Sequence, residues 1–521
     1  MNREEMIKKL YARQTPWDVL IIGGGATGLG LAVDSALRGY HTLLVEQSDF
    51  AKGTSSKSTK LIHGGLRYLQ QGNLYLVKEA LKERGRLCRN APHLMRQRSF
   101  FVPHYHWWES PFYNMGLKLY DLLAGKLKLQ PSYHLSYEKT LSLFPNLQPK
   151  RLRGGMVYYD GQFDDTRLAI TLAQTAADHN ATLINYMQVQ SLIKKDGRIQ
   201  GVYLEDQESG KQKDVYAQVV INATGAFCDH IRHMDEKNTP PIIQPSQGIH
   251  LVLDKRFLPG ETALLIPHTE DKRLIFILPW HDHLLVGTTD TPVEMIDLEP
   301  IPLEKEVDFI LNQVKQYLTD FPTKQDILSV FAGLRPLIRQ TGEKTSSLTR
   351  EHKVMISPSQ LITIAGGKWT TYRKMAEDTL DQAIRAGLLA RSICKTKTLP
   401  LHGYAKGLDS DVPWNLYGSE CHALNHLFKE KKSYRLPLHP KLPYLQGQVI
   451  WAVRHEMART LEDVLARRTR CLLLNAALSV EIAQEVALLM QKELKQSDAW
   501  VQQQVNMFKK LALRYMIQKN K

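Results

Sequence analysis

The sequence predicts an α/β fold: a Rossmann-like domain, an antiparallel-sheet cap threaded through it, and a helical domain at the C-terminus. Three observations predict it. The first is Asp18-Val-Leu-Ile-Ile-Gly-Gly-Gly-Ala-Thr-Gly28, a β-type apolar run leading directly into G-x-G-x-x-G. The second is a series of short apolar strands between residues 150 and 291, several of them alternating. The third is a change near residue 401, where Pro- and His-containing loops give way to helical periodicity. At 521 residues the chain exceeds what one core supports, so two or three domains are expected.

In chain order, each opening glycine has its own task. Gly23 permits the turn out of the strand and Gly25 lets backbone approach a pyrophosphate. Gly28 lets the helix over 26–38, which starts at Ala26 and Thr27, sit close on the sheet. That helix directs its positive end at the phosphates. A second apolar run, 42–46, ends in Glu46, 21 residues after Gly25, the acid expected on the ribose hydroxyls. The motif alone does not separate NAD from FAD.

Next comes a polar loop, Lys52-Gly-Thr-Ser-Ser-Lys-Ser-Thr-Lys60, running into Leu61-Ile-His-Gly-Gly-Leu-Arg-Tyr68. Read plainly it is a solvated linker. Its hydroxyls and glycines also suit a loop wrapped around a phosphate and a flavin ring. Residues 150–162 and 180–218 alternate in β fashion around a helix over 166–179, capped by Asp164 or Asp165. The strand at 218–225 stops at Asn-Ala-Thr-Gly225, as a strand ending beside a cofactor does. Segments 249–253, 273–278 and 284–287 predict the antiparallel sheet. The strand over 360–365 leads into Gly366-Gly-Lys-Trp-Thr-Thr371 and a helix, a second set of backbone donors at a helix N-terminus. Two such sites suit a two-ended cofactor such as FAD. Helices follow at about 446–459, 461–467, 480–494 and 499–518. The expected division is an FAD-binding Rossmann-like domain within 1–400 (segments 16–100, 160–235 and 330–390), a cap from 100–160 and 236–330, and the helical domain at 401–521.

Lys and Arg exceed Asp and Glu by 68 − 53 = 15, which favours acidic partners: phosphorylated substrates, anionic lipid or nucleic acid. Five cysteines, odd in number and widely spaced, lack any C-x-x-C or zinc-ligand pattern and read as thiols in a reducing compartment. Residues 1–15 lack the apolar stretch of a secretory signal, so a cytoplasmic location is expected. No apolar run of about 18 residues exists, which argues against a spanning helix and leaves peripheral attachment open. Two amphipathic stripes could make it: Phe112, Met115, Leu119, Leu122 and Leu123 beside Lys118, Lys126 and Lys128, and Val501, Val505, Phe508, Tyr515 and Met516 beside Lys509, Lys510 and Arg514. Each stripe also suits a helix packed on the protein's own core.

The ordered set of G-x-G-x-x-G, Ser-Ser-Lys-Ser-Thr-Lys-Leu-Ile-His-Gly-Gly-Leu-Arg-Tyr, Asn-Ala-Thr-Gly, Gly-Thr-Thr-Asp, Gly-Leu-Arg-Pro and Gly-Gly-Lys-Trp-Thr-Thr-Tyr-Arg resembles the FAD-dependent glycerol-3-phosphate dehydrogenases. The resemblance is dense from residue 18 to about 384 and continues through the C-terminal helices. It implies oxidation of sn-glycerol 3-phosphate to dihydroxyacetone phosphate at FAD, with electrons passed to a membrane quinone or, in oxidase relatives, to oxygen. It also implies peripheral attachment to the inner face of the cytoplasmic membrane and a homodimer.

The resemblance implies a substrate site of Arg67, Tyr68, His250, Arg335, Arg350 and Lys368. The arginines suit phosphate because a planar fork binds oxyanions bidentately. For the base, a group titrating near neutrality points to His250, and less directly to His63; Arg335 would face the developing alkoxide. Gln247-Gly-Ile-His250 departs from the tighter Gly-Ser-His pattern. Around FAD the implied residues are Gly23, Gly25, Ala26, Thr27, Gly28 and Glu46; Thr54, Ser55, Ser58, Lys60, Leu61, His63, Gly64 and Gly65 of the polar loop; Val189; Ala223, Thr224 and Gly225; and Gly367, Lys368, Trp369 and Thr370. No metal is expected. Two other readings compete. An FAD-dependent amino-acid or amine oxidase would bind carboxylate with an Arg/Tyr pair, which a multi-arginine set fits less well. A flavin protein with an RNA-binding basic tail would need interleaved aromatics that the tail lacks.

Overall fold

The computed structural model describes residues 1–65, 68–69, 72–271, 273–339, 351–408 and 413–517. Two sheets organise it. The eight-stranded sheet has its parallel part in the order Ile362–Gly366, Gln212–Asn222, Trp17–Ile22, Thr42–Val45 and Thr182–Ile184, with His352–Ile356 added antiparallel at one edge. Trp17–Ile22 is central and covered on both faces, which is why it reads as a continuous apolar run. The chain leaves it toward Thr42–Val45 on one side, while Gln212–Asn222 lies on the other. That reversal opens a crevice beyond the strand ends.

The helix Ala26–Leu37 buries its face from Gly28 to Ala36. A Cβ on Gly28 would sit 1.8 Å from the Gly23 carbonyl oxygen, so only glycine permits this approach of helix to strand. The helix Asp165–Asp178 starts where the sequence indicates, with the Asp164 side chain accepting from Arg167 N at 2.8 Å. The N-terminal residues form the helix Arg3–Ala12, which buries Met6 and Leu10 against this domain and pairs Arg3 with Asp206 at 2.6 Å.

Near one edge of the ten-stranded sheet, Ile243–Asp254 pairs with His283–Gly287 and Ile327–Ile338. Ile327–Ile338 and the short Leu61–Ile62 belong here, although the expected division assigns Leu61–Ile62 and residues from 330 onward to the Rossmann-like domain. Alternation sorts the side chains by face: Leu251, Leu253, Val286 and Val330 join the core beneath the helix Glu304–Lys315, whereas Val252, Leu285 and Phe331 meet the C-terminal helices.

The C-terminal region is helical, with Gln446–His455, a π-helical turn at Asp463–Arg468, Ala483–Leu494 and Asp498–Ala512. The two amphipathic stripes part company here. Val501, Val505, Phe508 and Tyr515 are buried in the core shared with the second sheet, so the terminal stripe is a packing face and not a membrane face. On the helix Glu109–Ala124, Leu117, Tyr120 and Ala124 turn inward. Phe112, Met115, Leu119 and Leu122 face out, with Met115 72% and Leu122 75% exposed, and Trp107 and Trp108 continue the patch. Leu123 is partly buried against the inner cluster. Among the described residues, no helix is long and apolar enough to cross a membrane.

Candidate functional site

The crevice beyond the parallel strands is a cavity of about 650 Å³, within the usual range for cofactor sites. Its walls include Gly23, Gly25, Ala26, Thr27 and Glu46, then Thr54 and Ser55, then Val189, then Ala223, Thr224 and Gly225, and finally Gly367, Lys368 and Trp369. The first βαβ unit and the distant Gly366–Thr371 turn thus close on one space, as a two-ended cofactor requires.

The helix starting at Ala26 has no side-chain cap, and Ala26 N donates to Ser55 Oγ at 2.9 Å. A Cβ on Gly25 would lie 3.1 Å from that same oxygen, so the glycine keeps the turn open beside the loop. Glu46 receives Gly24 N at 2.7 Å and Ser48 N at 2.9 Å, one on each oxygen. Each oxygen keeps a second lone pair for hydroxyls. Burial raises the Glu46 carboxyl above its ordinary value, against the pull of those two donors.

The polar loop is tied down on every side and is no solvated linker. Thr54 Oγ1 donates to Leu334 O at 2.6 Å, and Trp369 Nε1 donates to Ser55 O at 2.9 Å. Ser58 and Lys60, implied as cofactor contacts, send their side chains elsewhere. Both donate to Asp165 Oδ2, at 2.7 and 2.6 Å, and Lys60 is 1% exposed. A buried ammonium needs a carboxylate, and Asp165 supplies it. Gly28 and Thr370 lie behind the wall: Gly28 seats the helix and Thr370 is buried. Gly64 N donates to the Tyr120 hydroxyl at 2.7 Å, away from the cavity.

A second cavity, of about 110 Å³, is bounded by Thr59, Leu61, His63, Gly65, Tyr68, Arg273, Thr288 and Arg335 among others. Its size suits a three-carbon phosphate. Lys368 Nζ stands 3.9 Å from the centre of the Tyr68 ring, so a residue of the large cavity touches one of the small cavity and the two adjoin. Arg335 donates through Nη2 to Thr288 Oγ1 at 3.1 Å and Thr289 O at 2.9 Å, and pairs with Asp290 at 3.4 Å. Arg273 reaches the same Asp290, donating to its carbonyl at 2.7 Å.

His250 differs from the expectation. It is 2% exposed, stacks on Phe331 at 5.1 Å and is not on the wall of the small cavity. Its Nε2 lies 2.9 Å from Thr59 Oγ1, and Thr59 stands between it and the space. Burial, reinforced by Lys60 and Arg335, pushes the imidazole well below its ordinary value, so it is neutral. Its cross-strand neighbours cause this, since the ring stacks on Phe331 of one flanking strand and lies against Gly287 of the other. His63 is the histidine on the wall. Arg67 and Arg350 lie outside the described residues.

Sequence reading missed Arg273, the 294–298 loop and Met187 with Gln188. For Arg273 a signal existed, an arginine opening an apolar strand that returns to Gly-Thr-Thr-Asp290.

Comparison with known proteins fits this geometry. The family described as FAD dependent oxidoreductase matches residues 18–372, and the C-terminal domain of alpha-glycerophosphate oxidase matches residues 359–501. The mitochondrial glycerol-3-phosphate dehydrogenase of Bos taurus is 42% identical over 534 residues, covering 96% of this chain and 73% of that protein. The Schizosaccharomyces pombe protein of the same name is 37% identical over 567 residues, covering 96% and 87%. Among solved structures, the glycerol-3-phosphate dehydrogenase from Bacillus halodurans complexed with FAD superposes with a TM-score of 0.81 at 30% identity, over 99% of each chain. L-alpha-glycerophosphate oxidase from Mycoplasma pneumoniae, at 18% identity and a TM-score of 0.56 over 73% of this chain and 97% of that one, shares the fold.

Proposed function

The chain belongs to the FAD-dependent glycerol-3-phosphate dehydrogenase family, and we propose that it oxidises sn-glycerol 3-phosphate to dihydroxyacetone phosphate and passes the electrons to a quinone at an anionic membrane surface. The observation carrying this reading is the Lys368–Tyr68 contact, which joins a cofactor-sized cavity to a substrate-sized one lined with arginine.

Bound FAD supplies the two-electron acceptor for the hydrogen on C2. Residues from Gly23 to Glu46, the loop at Thr54 and Ser55, and the turn at Gly367–Trp369 would hold it. Arg335 and Arg273 bind the phosphate as a fork pair, with Asp290 fixing both guanidinium planes. Arg67 and Arg350 are assigned to the same task. His63 takes the C2 hydroxyl proton as the hydride leaves. His250 acts through Thr59, whose hydroxyl its Nε2 meets at 2.9 Å and so holds beside the small cavity. Lys368, with the uncapped N-terminus of the Trp369–Thr371 turn, supplies positive potential where negative charge gathers.

Membrane contact is assigned to the outer face of Glu109–Ala124. Its support is the exposed Trp107, Trp108, Phe112, Met115 and Leu122 beside the exposed Lys126 and Lys128, apolar area bordered by cations.

The test is the anaerobic flavin absorbance of the purified protein. Bleaching by sn-glycerol 3-phosphate but not by glycerol is expected, and a flavin that stays oxidised would overturn the substrate assignment. Re-oxidation by anionic vesicles containing quinone, faster than by dissolved oxygen, is expected in turn. The reverse order would make the protein an oxidase.

A further inference from the structure

Two stretches of the large cavity's wall are gripped from outside by the C-terminal helical region. The first runs from Asp49 to Lys57. Asp49 accepts from Arg467 Nε at 2.6 Å and from Arg468 at 2.7 and 2.9 Å, with all three side chains at 3% exposure or less. Lys52, itself on the cavity wall, donates to Glu462 at 2.6 Å, and Glu462 accepts from Arg467 at 2.6 Å. The π-helical turn Asp463–Arg468 places these guanidinium groups on one side, and such turns recur at functional sites.

The second stretch is the segment 294–299. It follows the short strand Thr291–Pro292 and has two sides. Glu294, Ile296 and Leu298 face the cavity, while Asp297 and Glu299 face the C-terminal end. Glu299 Oε2 accepts from the Tyr515 hydroxyl at 2.8 Å and from Lys57 Nζ at 2.7 Å. Arg514 donates to Glu299 O at 2.8 Å and pairs with Asp297 at 3.3 Å. Glu299 therefore ties the phosphate-side loop, the covering segment and the turn Leu513–Tyr515 to one carboxylate.

The two grips differ in character. The Asp49–Arg467–Arg468 cluster is fully buried and fixed. The Arg514–Asp297 pair is exposed, at 42% and 57%, and can separate without exposing a core. We propose that the C-terminal region is a clasp on the cofactor, in which Arg514 and Tyr515 are positioning residues that hold the 294–299 segment across the FAD cavity and so slow FAD release. The clasp rests on FAD occupying this cavity. It assigns the helical domain a task that neither cavity's chemistry requires.

The experiment dilutes flavin-loaded protein into an excess of a scavenging apoflavoprotein and follows flavin fluorescence. Removing these contacts with Arg514→Ala and Tyr515→Phe should speed release roughly tenfold or more, as loss of two hydrogen bonds and an exposed ion pair implies. Arg514→Lys should restore part of the retention. The melting midpoint of the flavin-free protein should stay in place, because Arg514 is exposed and Tyr515→Phe keeps the aromatic ring in the core. Glu299→Gln provides a second test from the other partner of the contact. An unchanged release rate in all variants overturns the clasp, and so does an equal fall of the loaded and flavin-free midpoints without faster release. A wild-type protein that holds no flavin would overturn the cofactor assignment along with it, whereas loaded protein that releases at the wild-type rate overturns the clasp alone.

Discussion

Arg335 is anchored before any substrate arrives, because Thr288, the Thr289 carbonyl and Asp290 already fix its plane. A fork held in this way loses little freedom on meeting phosphate. Arg335→Lys keeps the charge but loses the fork, and steady-state kinetics should show kcat/KM lower by roughly 10- to 200-fold, the worth of one or two charged hydrogen bonds. The two histidines separate in the same assay. His63→Asn should lower kcat by about 10²- to 10⁴-fold and remove the limb of the pH profile that reports a base, whereas His250→Asn should cost less than about tenfold and leave that limb in place. If His250→Asn proves the more damaging, the roles exchange. At this scale the sequence was legible wherever a residue sits in a short signature. Arg335 in Gly-Leu-Arg-Pro lines the small cavity and Lys368 in Gly-Gly-Lys-Trp the large one. The burial of His250 was not legible, because a histidine on an alternating strand does not announce which neighbouring strands cover it.

The helix Glu109–Ala124 and the helix Asp498–Ala512 make the corresponding point for elements. Both carry an apolar stripe beside lysines, and periodicity alone treats them alike. The second sheet covers one and leaves the other bare, and only the tertiary arrangement decides which. Replacing Met115 and Leu122 together by glutamate should therefore leave the melting midpoint nearly unchanged. It should weaken co-sedimentation with anionic vesicles by about 100-fold or more, since each of the two buried side chains contributes roughly 1.5–3 kcal/mol. Val505→Glu should do the opposite, destabilising the fold by about 3 kcal/mol or more through a buried unpaired charge. Full vesicle binding by the first variant would move the membrane face elsewhere. The strand–glycine–helix opening was legible because its constraints are local. A Cβ at Gly28 has nowhere to go, and that fact is written in three adjacent elements.

For the molecule as a whole, the charges buried between distant segments set its response to acid. Burial pushes His93 and His104 down to about 4, and each would titrate near 6.5 in the unfolded chain. A depressed histidine makes the unfolded state the better proton acceptor between those values. Its stabilising share is complete above about 6.5, fades as pH falls, and is gone by about 4. The clasp side adds a second phase. Burial alone would raise Asp49 and Glu462, but the guanidinium groups outweigh it, holding Asp49 far below the carboxylate range and Glu462 down to about 2. Their share fades only below about 4.3, where the unfolded carboxylates protonate. Melting midpoints should therefore decline between pH 6.5 and 4 and then more steeply, and His104→Leu should flatten the first decline by an amount on the order of 1–3 kcal/mol. A midpoint independent of pH over that window would contradict the burial of these rings. None of this could be read from the sequence, since nothing local marks Asp49 as the partner of residues more than four hundred positions away. That separation also sets an order of events in synthesis. Arg467 follows Asp49 by 418 residues, so at roughly 5–20 residues per second the nucleotide loop waits some 20–80 s on the ribosome for its counter-charges. During that interval the flavin pocket stands open, and Arg514 and Tyr515, the residues that shut it, are made later still.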